Sequence, residues 1–410
     1  MFLNRFLPSR LLVLFVALLT SLYAPVAQSD DQVSDDRVPG SLSRQIQVNT
    51  STEGSQLEPD VTHLSNGGWV VAWQDLVDFG VDRKNLVRAR VFDRNSRPVG
   101  EDFQVNTLNG GSSSDAAVAS TEDGFIVVWA TAQGFPDSFV ALQRYDNDGL
   151  AIGGEVQVST TYGSYKAQPS IAIAPDGSFT VAWINLGVGI YAQRFTSDVV
   201  PVGSELELDT VGFPAQIQNP VIAAGEDGNV LVIWGHTARG LYGRLINESG
   251  QASDLIFYDI YPHWLQEPTG LQPRPGGGFI ATWFALRNPD VAILNDFYSI
   301  DSNGLPSGSP GELGQSDWVF KDIDLGADGV AAVGRFQNNL FLRSFDADLL
   351  PVGERVMLHA PTFDAQRDPA LSIGPNGDIV TVWQSEGSLG DDVDGPSIQM
   401  LRFRPTNAKR

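Results

Sequence analysis

A phrase that recurs seven times, four short apolar stretches in each interval, and a surplus stretch at the N-terminus together predict an all-β fold. The fold is a seven-bladed β-propeller of four-stranded blades, closed by the N-terminal strand completing the last blade. The phrase is a turn of the Asp-Gly or Gly-Gly type leading into an apolar run that ends in Val-x-Trp or close to it. It stands at Gly67–Trp73, Asp123–Trp129, Asp176–Trp183, Asp227–Trp234, Gly276–Trp283, Asp328–Gly334 and Asn376–Trp383. Successive instances lie roughly 50 residues apart, the period of a radial array of small sheets. A chain of 410 residues would suggest more than one domain by length; the repeat gathers it into one.

The third unit shows the elements in order. Gln168–Ala174 reads as strand A, with apolar residues at alternate positions, and Pro175-Asp176-Gly177 as a tight turn. Phe179–Trp183 is strand B, Gly189–Phe195 strand C and Ser204–Leu208 strand D, after a turn at Val199–Gly203. Strand B is apolar almost throughout, as in Trp69-Val70-Val71-Ala72-Trp73. A strand apolar on both faces is buried on both faces, so the Val-x-Trp positions are assigned to packing between blades.

The seventh unit has strands at Asp368–Ile373, Ile379–Trp383 and Ser397–Phe403 and then stops. The orphan Arg44–Asn49 matches the fourth-strand phrases Phe103–Asn106 and Val156–Ser159. It is therefore expected to supply the missing strand and tie both termini into the ring. Residues 44–404 form the expected propeller and 405–410 a C-terminal tail. Residues 28–43 read as a disordered acidic leader. Residues 1–27 read as a secretory signal: Arg5 and Arg10 precede the apolar Leu11–Tyr23, with Ala24 and Ala27 after it. No second apolar segment follows, so the expectation is a protein without a membrane span, secreted to the periplasm or the extracellular space.

The phrases Gly67–Trp73, Tyr191-Ala192-Gln193-Arg194-Phe195 and Pro201–Glu205 resemble repeats of large secreted bacterial proteins, many of which also carry hemolysin-type calcium-binding nonapeptides. The resemblance covers nearly all of residues 44–404. It implies a β-propeller and an exported protein, and it implies no particular enzyme. The nonapeptide array is missing here, so calcium binding does not carry over. The sialidase-type box, with Trp three residues after Gly, is missing as well.

The chain carries a formal charge of −23 and no cysteine. Acidity of this degree repels phosphate backbones and excludes nucleic acid as the expected partner. Without cysteine there is no disulfide or thiol-linked lipid, so stability rests on packing. A monomer is expected.

The A–B turns (Asp123-Gly124, Asp176-Gly177, Asp227-Gly228, Asn376-Gly377) and the C–D turns (Asp146–Gly149, Asn247–Gly250, Asp346–Pro351) are alike and form one plain face. Asp146–Gly149 has the beginning of a Ca²⁺ loop but lacks its distal acid. The B–C and D–A loops form the other face and vary. They are long at Gln74–Asn85 and Gln384–Pro396 and bear aromatics. Variable loops on a rigid scaffold are where binding usually resides.

Three groups are expected on that face. Glu58, Asp115, Gln168, Asn219, Glu267 and Asp368 hold equivalent places on strand A, with Phe320 the exception. Strand A is innermost, so Glu58, Asp115, Glu267 and Asp368 are the candidate metal ligands at the channel mouth, with Ca²⁺ the candidate ion; no other cofactor is implied. His236, Arg239, Tyr261, His263 and Trp264, with Tyr165, are the candidate ligand-binding residues for a polar or sugar-like ligand. The loop Glu386–Asp394 and its counterpart Asp75–Asp82 are acid-rich. The strand-C arginines Arg90, Arg144, Arg194, Arg244, Arg343 and Arg402 alternate in parity, which predicts scattered salt bridges rather than one ring.

No Ser-His-Asp order, phosphate loop or metal signature appears, so no residue is assigned a catalytic role. The favoured reading is a non-catalytic exported propeller that binds a protein or carbohydrate partner. A carbohydrate-active enzyme, hydrolase or lyase, using carboxylates at the channel mouth is the alternative. A purely structural module is the third.

Overall fold

A computed structural model describes residues 41–403, apart from 79–82, 108–110, 133–137, 162–163, 210–218, 237–239, 259–264, 287–292, 308–310, 316–318, 328, 360–363 and 387–394. The expected signal, most of the leader, and the tail lie outside the described residues. The propeller falls within one compact unit, Arg37–Arg410.

Seven four-stranded antiparallel sheets make up the described chain, and no helix occurs among the described residues. In six sheets the strands lie in chain order. In the seventh the order is Ile46–Gln47, Ser397–Phe403, Ile379–Ser385, Gln366–Ile373. Ile46 pairs with Met400 and Gln47 with Gln399, so the N-terminal strand completes the last blade as expected. The pairing reaches further back than Arg44. Ser41 bridges Phe403 and Leu42 N–H donates to Arg402 C=O at 2.8 Å. Residues 41–43, expected in the disordered leader, therefore belong to the blade, because the edge of strand C offers them free backbone partners.

The core is divided into seven apolar layers, one at each seam between neighbouring blades. Strand B feeds two of them at once. Val70 and Ala72 pack towards the second blade with Val118, Phe125 and Trp129. Trp69, Val71 and Trp73 pack towards the seventh with Val380, Val382 and Met400. That last layer is the ring's closing seam. Trp73, Trp129, Trp183, Trp234, Trp283 and Trp383 are all fully buried, each in the seam shared with the preceding blade.

The sixth repeat has Gly334 where the others have Trp, and the same repeat has Phe320 where others carry a polar mouth residue. These two exceptions are one. Phe320 stands directly opposite Gly334, is 2% exposed, and packs with Ile280, Phe341 and Phe345 in the seam. The benzyl ring fills from strand A the volume that the indole fills from strand B elsewhere.

Two expectations are corrected. Gln74–Asn85 is not simply a loop: strand B runs Trp69–Asp78 and strand C Arg83–Phe92, pairing through Asp78↔Arg83. Asp75 is buried there, bonded to Gln56 and 3.8 Å from Arg88. The strand-C arginines mostly find carbonyls, not carboxylates. Arg90 donates to Val48 C=O and Gly100 C=O, Arg194 to Gly228 C=O and Arg244 to Ser253 C=O. Arg402 with Asp378, and Arg144 with Asp123 at 3.8 Å, are the ion pairs. A strand end inside a crowded seam offers unpaired C=O groups, and a guanidinium's fork satisfies them.

Candidate functional site

The inner strands are Ser55–His63, Ser112–Ser120, Lys166–Ile173, Val221–Ala224, Leu265–Pro273, Val319–Gly326 and Gln366–Ile373. Near the start of most of them the ladder slips. Between Leu57 and Asp60, Ser114 and Ala117, Ala167 and Ser170, and Arg367 and Ala370 the register shifts. The residue at the slip is left-handed although it is not glycine: Glu58 at φ 50°, Asp115 at 54°, Gln168 at 51° and Asp368 at 44°. Such backbone is sparsely populated and costs about 1 kcal/mol or more per residue. In these four blades the bulge re-aims one polar side chain towards the axis.

The result is a cavity of about 400 Å³ on the B–C and D–A face, lined by Glu58, Asp115, Gln168, Asn219, Glu267 and Asp368. The predicted ring therefore converges. Its seventh member is Lys321, the residue beside the inward-packed Phe320, and Lys321 was not expected from the repeat. Burial, then the charges of Asp115 and Asp368, push Glu58 up to about 7. Burial raises Glu267 too, against the pull of Lys321. Among the described residues no group of three or more His, Cys, Asp or Glu stands close enough to hold a metal ion; Lys321 shares the same space.

The next carboxylates along the inner strands have a different task. Asp60 accepts from its neighbour Val61 N–H and, across the seam, from Val118 N–H, both at 2.8 Å. Asp322 accepts from Ile323 N–H at 2.8 Å and Leu371 N–H at 2.9 Å. Asp324 accepts from Leu325 N–H at 2.8 Å and Ile373 N–H at 2.7 Å. Each clips one inner strand to the next, where side-by-side strands would leave those N–H groups unpaired. Burial raises all three, Asp60 and Asp324 to about 6. Asp115 contributes to both sets: it lines the cavity and accepts from Gln168 N–H at 3.1 Å. An outer series does the same at the D–A crossings. Asp102 accepts from Thr50 N–H at 2.6 Å, Glu155 from Thr107 N–H at 2.8 Å, and Glu205 from Thr160 N–H at 2.6 Å.

The second predicted group is not brought together within the described residues. His236 ends the strand Val230–His236, is fully buried, and meets Tyr242 edge-on at 6.2 Å between centroids. Arg239, Tyr261, His263 and Trp264 lie outside the described residues. Tyr165 is 41% exposed on the loop face, and its C=O accepts from Leu186 N–H at 2.8 Å. Leu186 and Val188 are exposed beside it; their repeat-breaking turn, Leu186-Gly187-Val188, was a signal available in the sequence. In the acid-rich loops, Glu386 pairs with Arg367 at 2.8 Å, and 387–394 lie outside the described residues. The Asp146 carboxylate is used by its own turn, accepting from Asp148 N–H at 2.9 Å and Leu150 N–H at 2.8 Å. Asn247 does the same for Ser249 and Gln251, so the turn needs an acceptor and not a charge.

No protein-family model matches the chain, and no curated protein matches it in sequence at a significant level. Solved structures do match in fold. A protein of unknown function from Dyadobacter fermentans is similar over 90% of this chain and 100% of its own, with 13% identity and a TM-score of 0.54. An ulvan lyase, a polysaccharide lyase solved with a bound saccharide, is similar over 88% of this chain and 95% of its own, with 9% identity and a TM-score of 0.54. At such identities the likeness concerns the fold alone, and by fold the chain is a seven-bladed β-propeller.

Proposed function

We propose that the protein is an exported, non-catalytic propeller that binds a protein or a surface glycan through its B–C and D–A loop face. The observation that carries this reading is the composition of that face around the third blade. Tyr165, Leu186 and Val188 stand exposed there, 41%, 49% and 42%, with Leu186 N–H donating to Tyr165 C=O. Single exposed apolar residues are ordinary; a contiguous set on variable loops marks a contact surface. Three residues along the chain from Tyr165, Gln168 enters the rim of the acidic cavity. An amino group from the partner, on a lysine or an amino sugar, suits a cavity lined by six acidic residues and one lysine.

A second reading, a glycoside hydrolase or lyase, draws support from Glu58. A carboxyl raised to about 7 beside other acids is what a general acid needs near neutral pH. The ulvan lyase of similar fold makes a polysaccharide a reasonable first substrate class to screen.

The test is a pull-down from the native cell surface, run beside a glycan array and a hydrolysis screen, with wild type, Tyr165→Ala/Leu186→Ser and Glu58→Gln. Saturable capture lost in the double variant, without turnover, is the expected result. Turnover abolished by Glu58→Gln would replace this reading with the enzyme. Capture indifferent to both variants, or silence throughout, would overturn it.

A further inference from the structure

At the other end of the channel, on the A–B turn face, the inner strands enclose a second cavity of about 420 Å³. Small-molecule sites fall in the range of about 300–1,000 Å³. Its lining comes from the first, second, sixth and seventh blades only. The reason is legible in the registers. Counted three places beyond the register slip, or at the strand end in the fourth blade, strand A carries Ile173, Ala224, Pro273, Leu325 or Ile373 in five blades. In the first two it is His63 and Ser120. One place earlier the second, third and fourth blades carry Ala119, Ala172 and Ala223, whereas the first, fifth, sixth and seventh carry Thr62, Gln272, Asp324 and Ser372. One side of the channel end thus carries hydrogen-bonding residues where the other carries alanines.

The central group is His63. It is 8% exposed and its ring is fixed from three sides. Trp69 meets it edge-on at 5.8 Å. Its Nδ1 lies 3.1 Å from Ser372 Oγ, to which its own backbone N–H also donates. Gly374 lies against the other edge of the ring, where a Cβ would stand 2.8 Å from Nε2. Nε2 itself has no hydrogen-bond partner among the described residues, nor do the hydroxyls of Thr62 and Ser120, and all three residues line the cavity. The imidazole is thus held in one orientation, with its second nitrogen available to the cavity as a hydrogen-bonding group.

The charge of the cavity narrows the class of ligand. No lysine or arginine lines it. Among the described lining residues the acid is Asp324, whose two carboxylate oxygens accept from Leu325 and Ile373 N–H groups. His63 stays neutral down to about pH 4, because burial opposes its protonation. Arg402, nearby, is neutralised by Asp378. Donors and acceptors are on offer, with apolar surface from Leu325, Ile373 and Pro375, and no cation among the described lining residues. We infer that this end of the channel is a second binding site, for a neutral pyranose, with His63, Thr62 and Ser120 as its hydrogen-bonding residues. The site is independent of the acidic mouth, which faces the opposite way and favours a cation.

The test uses methyl glucoside, methyl galactoside and methyl mannoside as probes, by saturation-transfer NMR and titration on the whole protein. At least one is expected to bind. Ala327→Trp, which closes the cavity from an exposed lining position without touching the seams, is expected to abolish the signal. Ser120→Ala and His63→Gln are each expected to weaken binding about tenfold, the effect of one hydrogen bond. Glu58→Gln, at the opposite mouth, is expected to leave it unchanged while altering the partner capture proposed above. Absence of binding by all three glycosides would overturn the inference. So would binding that survives Ala327→Trp.

Discussion

His63 also gives the sharpest test of the inner architecture, through pH. The ordinary histidine pKa of 6.5 falls here to about 4, chiefly through burial; Asp378 pulls it up and Arg402 pushes it down. The unfolded chain takes up a proton near pH 6.5, and the folded chain does not until about pH 4. The stability this histidine contributes is therefore complete above 6.5 and is lost as the pH falls towards 4. At about 1.4 kcal/mol for each unit of pH between those limits, the loss reaches about 2 kcal/mol at pH 5. The raised carboxyls Glu58, Asp60, Asp322 and Asp324 act in the opposite sense, so the wild-type curve alone is a composite. The difference between wild type and His63→Gln removes them. Urea unfolding followed by fluorescence of the buried tryptophans at pH 7.5, 6.5 and 5.0 measures it. At pH 7.5 the variant is expected to be less stable by about 1–2 kcal/mol, having lost the ring's contact with Trp69. By pH 5.0 that gap is expected to close or invert, a change of about 2 kcal/mol. A gap constant across this range would mean that the imidazole is not held neutral.

Asp322→Asn replaces one acceptor oxygen with an NH₂ group facing a backbone N–H; thermal unfolding is expected to show a loss of about 1–3 kcal/mol. Glu58→Gln removes repulsion that grows as the pH rises through about 7, so it should raise the Tm at pH 8 and leave it nearly unchanged at pH 5.5. Phe320→Ala empties the seam that Gly334 cannot fill and should cost about 3–5 kcal/mol, partly restored in Phe320→Ala/Gly334→Trp. Gly374→Ala puts a Cβ at 2.6 Å from His63 Cδ2 and should cost about 1–3 kcal/mol by displacing the ring, read by the same unfolding assay.

The blades were legible in the sequence because packing forces a period. A strand buried on both faces must be apolar throughout, and that is visible at Trp69–Trp73 without coordinates. The closing strand was visible for the same reason, since Arg44–Asn49 repeats a phrase and lacks a unit of its own. The polar members of the mouth were legible as equivalent positions. Their aim was not: it depends on left-handed backbone at Glu58, Asp115, Gln168 and Asp368, and a bulge leaves no mark in spacing alone. Lys321 was missed because Phe320, displaced into the seam by Gly334, passes the mouth position to its neighbour. His236 read as a loop residue, yet it pairs with Gly240 inside a hairpin. Periodicity cannot tell the last residue of a buried strand from the first residue of a loop.

The acidity of the chain shows why charge alone is a poor guide to function in this fold. Asp60, Asp322 and Asp324 hold inner strands together, Asp102, Glu155 and Glu205 hold the D–A crossings, and Asp93, Asp146, Asp301 and Asp346 cap their own turns. In each role the carboxylate accepts N–H groups that a ring of short strands leaves unpaired at its many ends. These uses repeat from blade to blade because the need repeats. The residues that do not repeat have no such explanation: Lys321 among the mouth carboxylates, the exposed turn at Leu186–Val188, and His63 where five blades place an apolar residue. A closed ring supplies the same structural demand at every seam, so residues that depart from the repeat without mending a neighbouring defect, as Phe320 mends Gly334, are the positions at which the proposed ligand contacts are to be tested. By that criterion His63 and Tyr165–Val188 mark two faces of one scaffold, and each can be removed without removing the other.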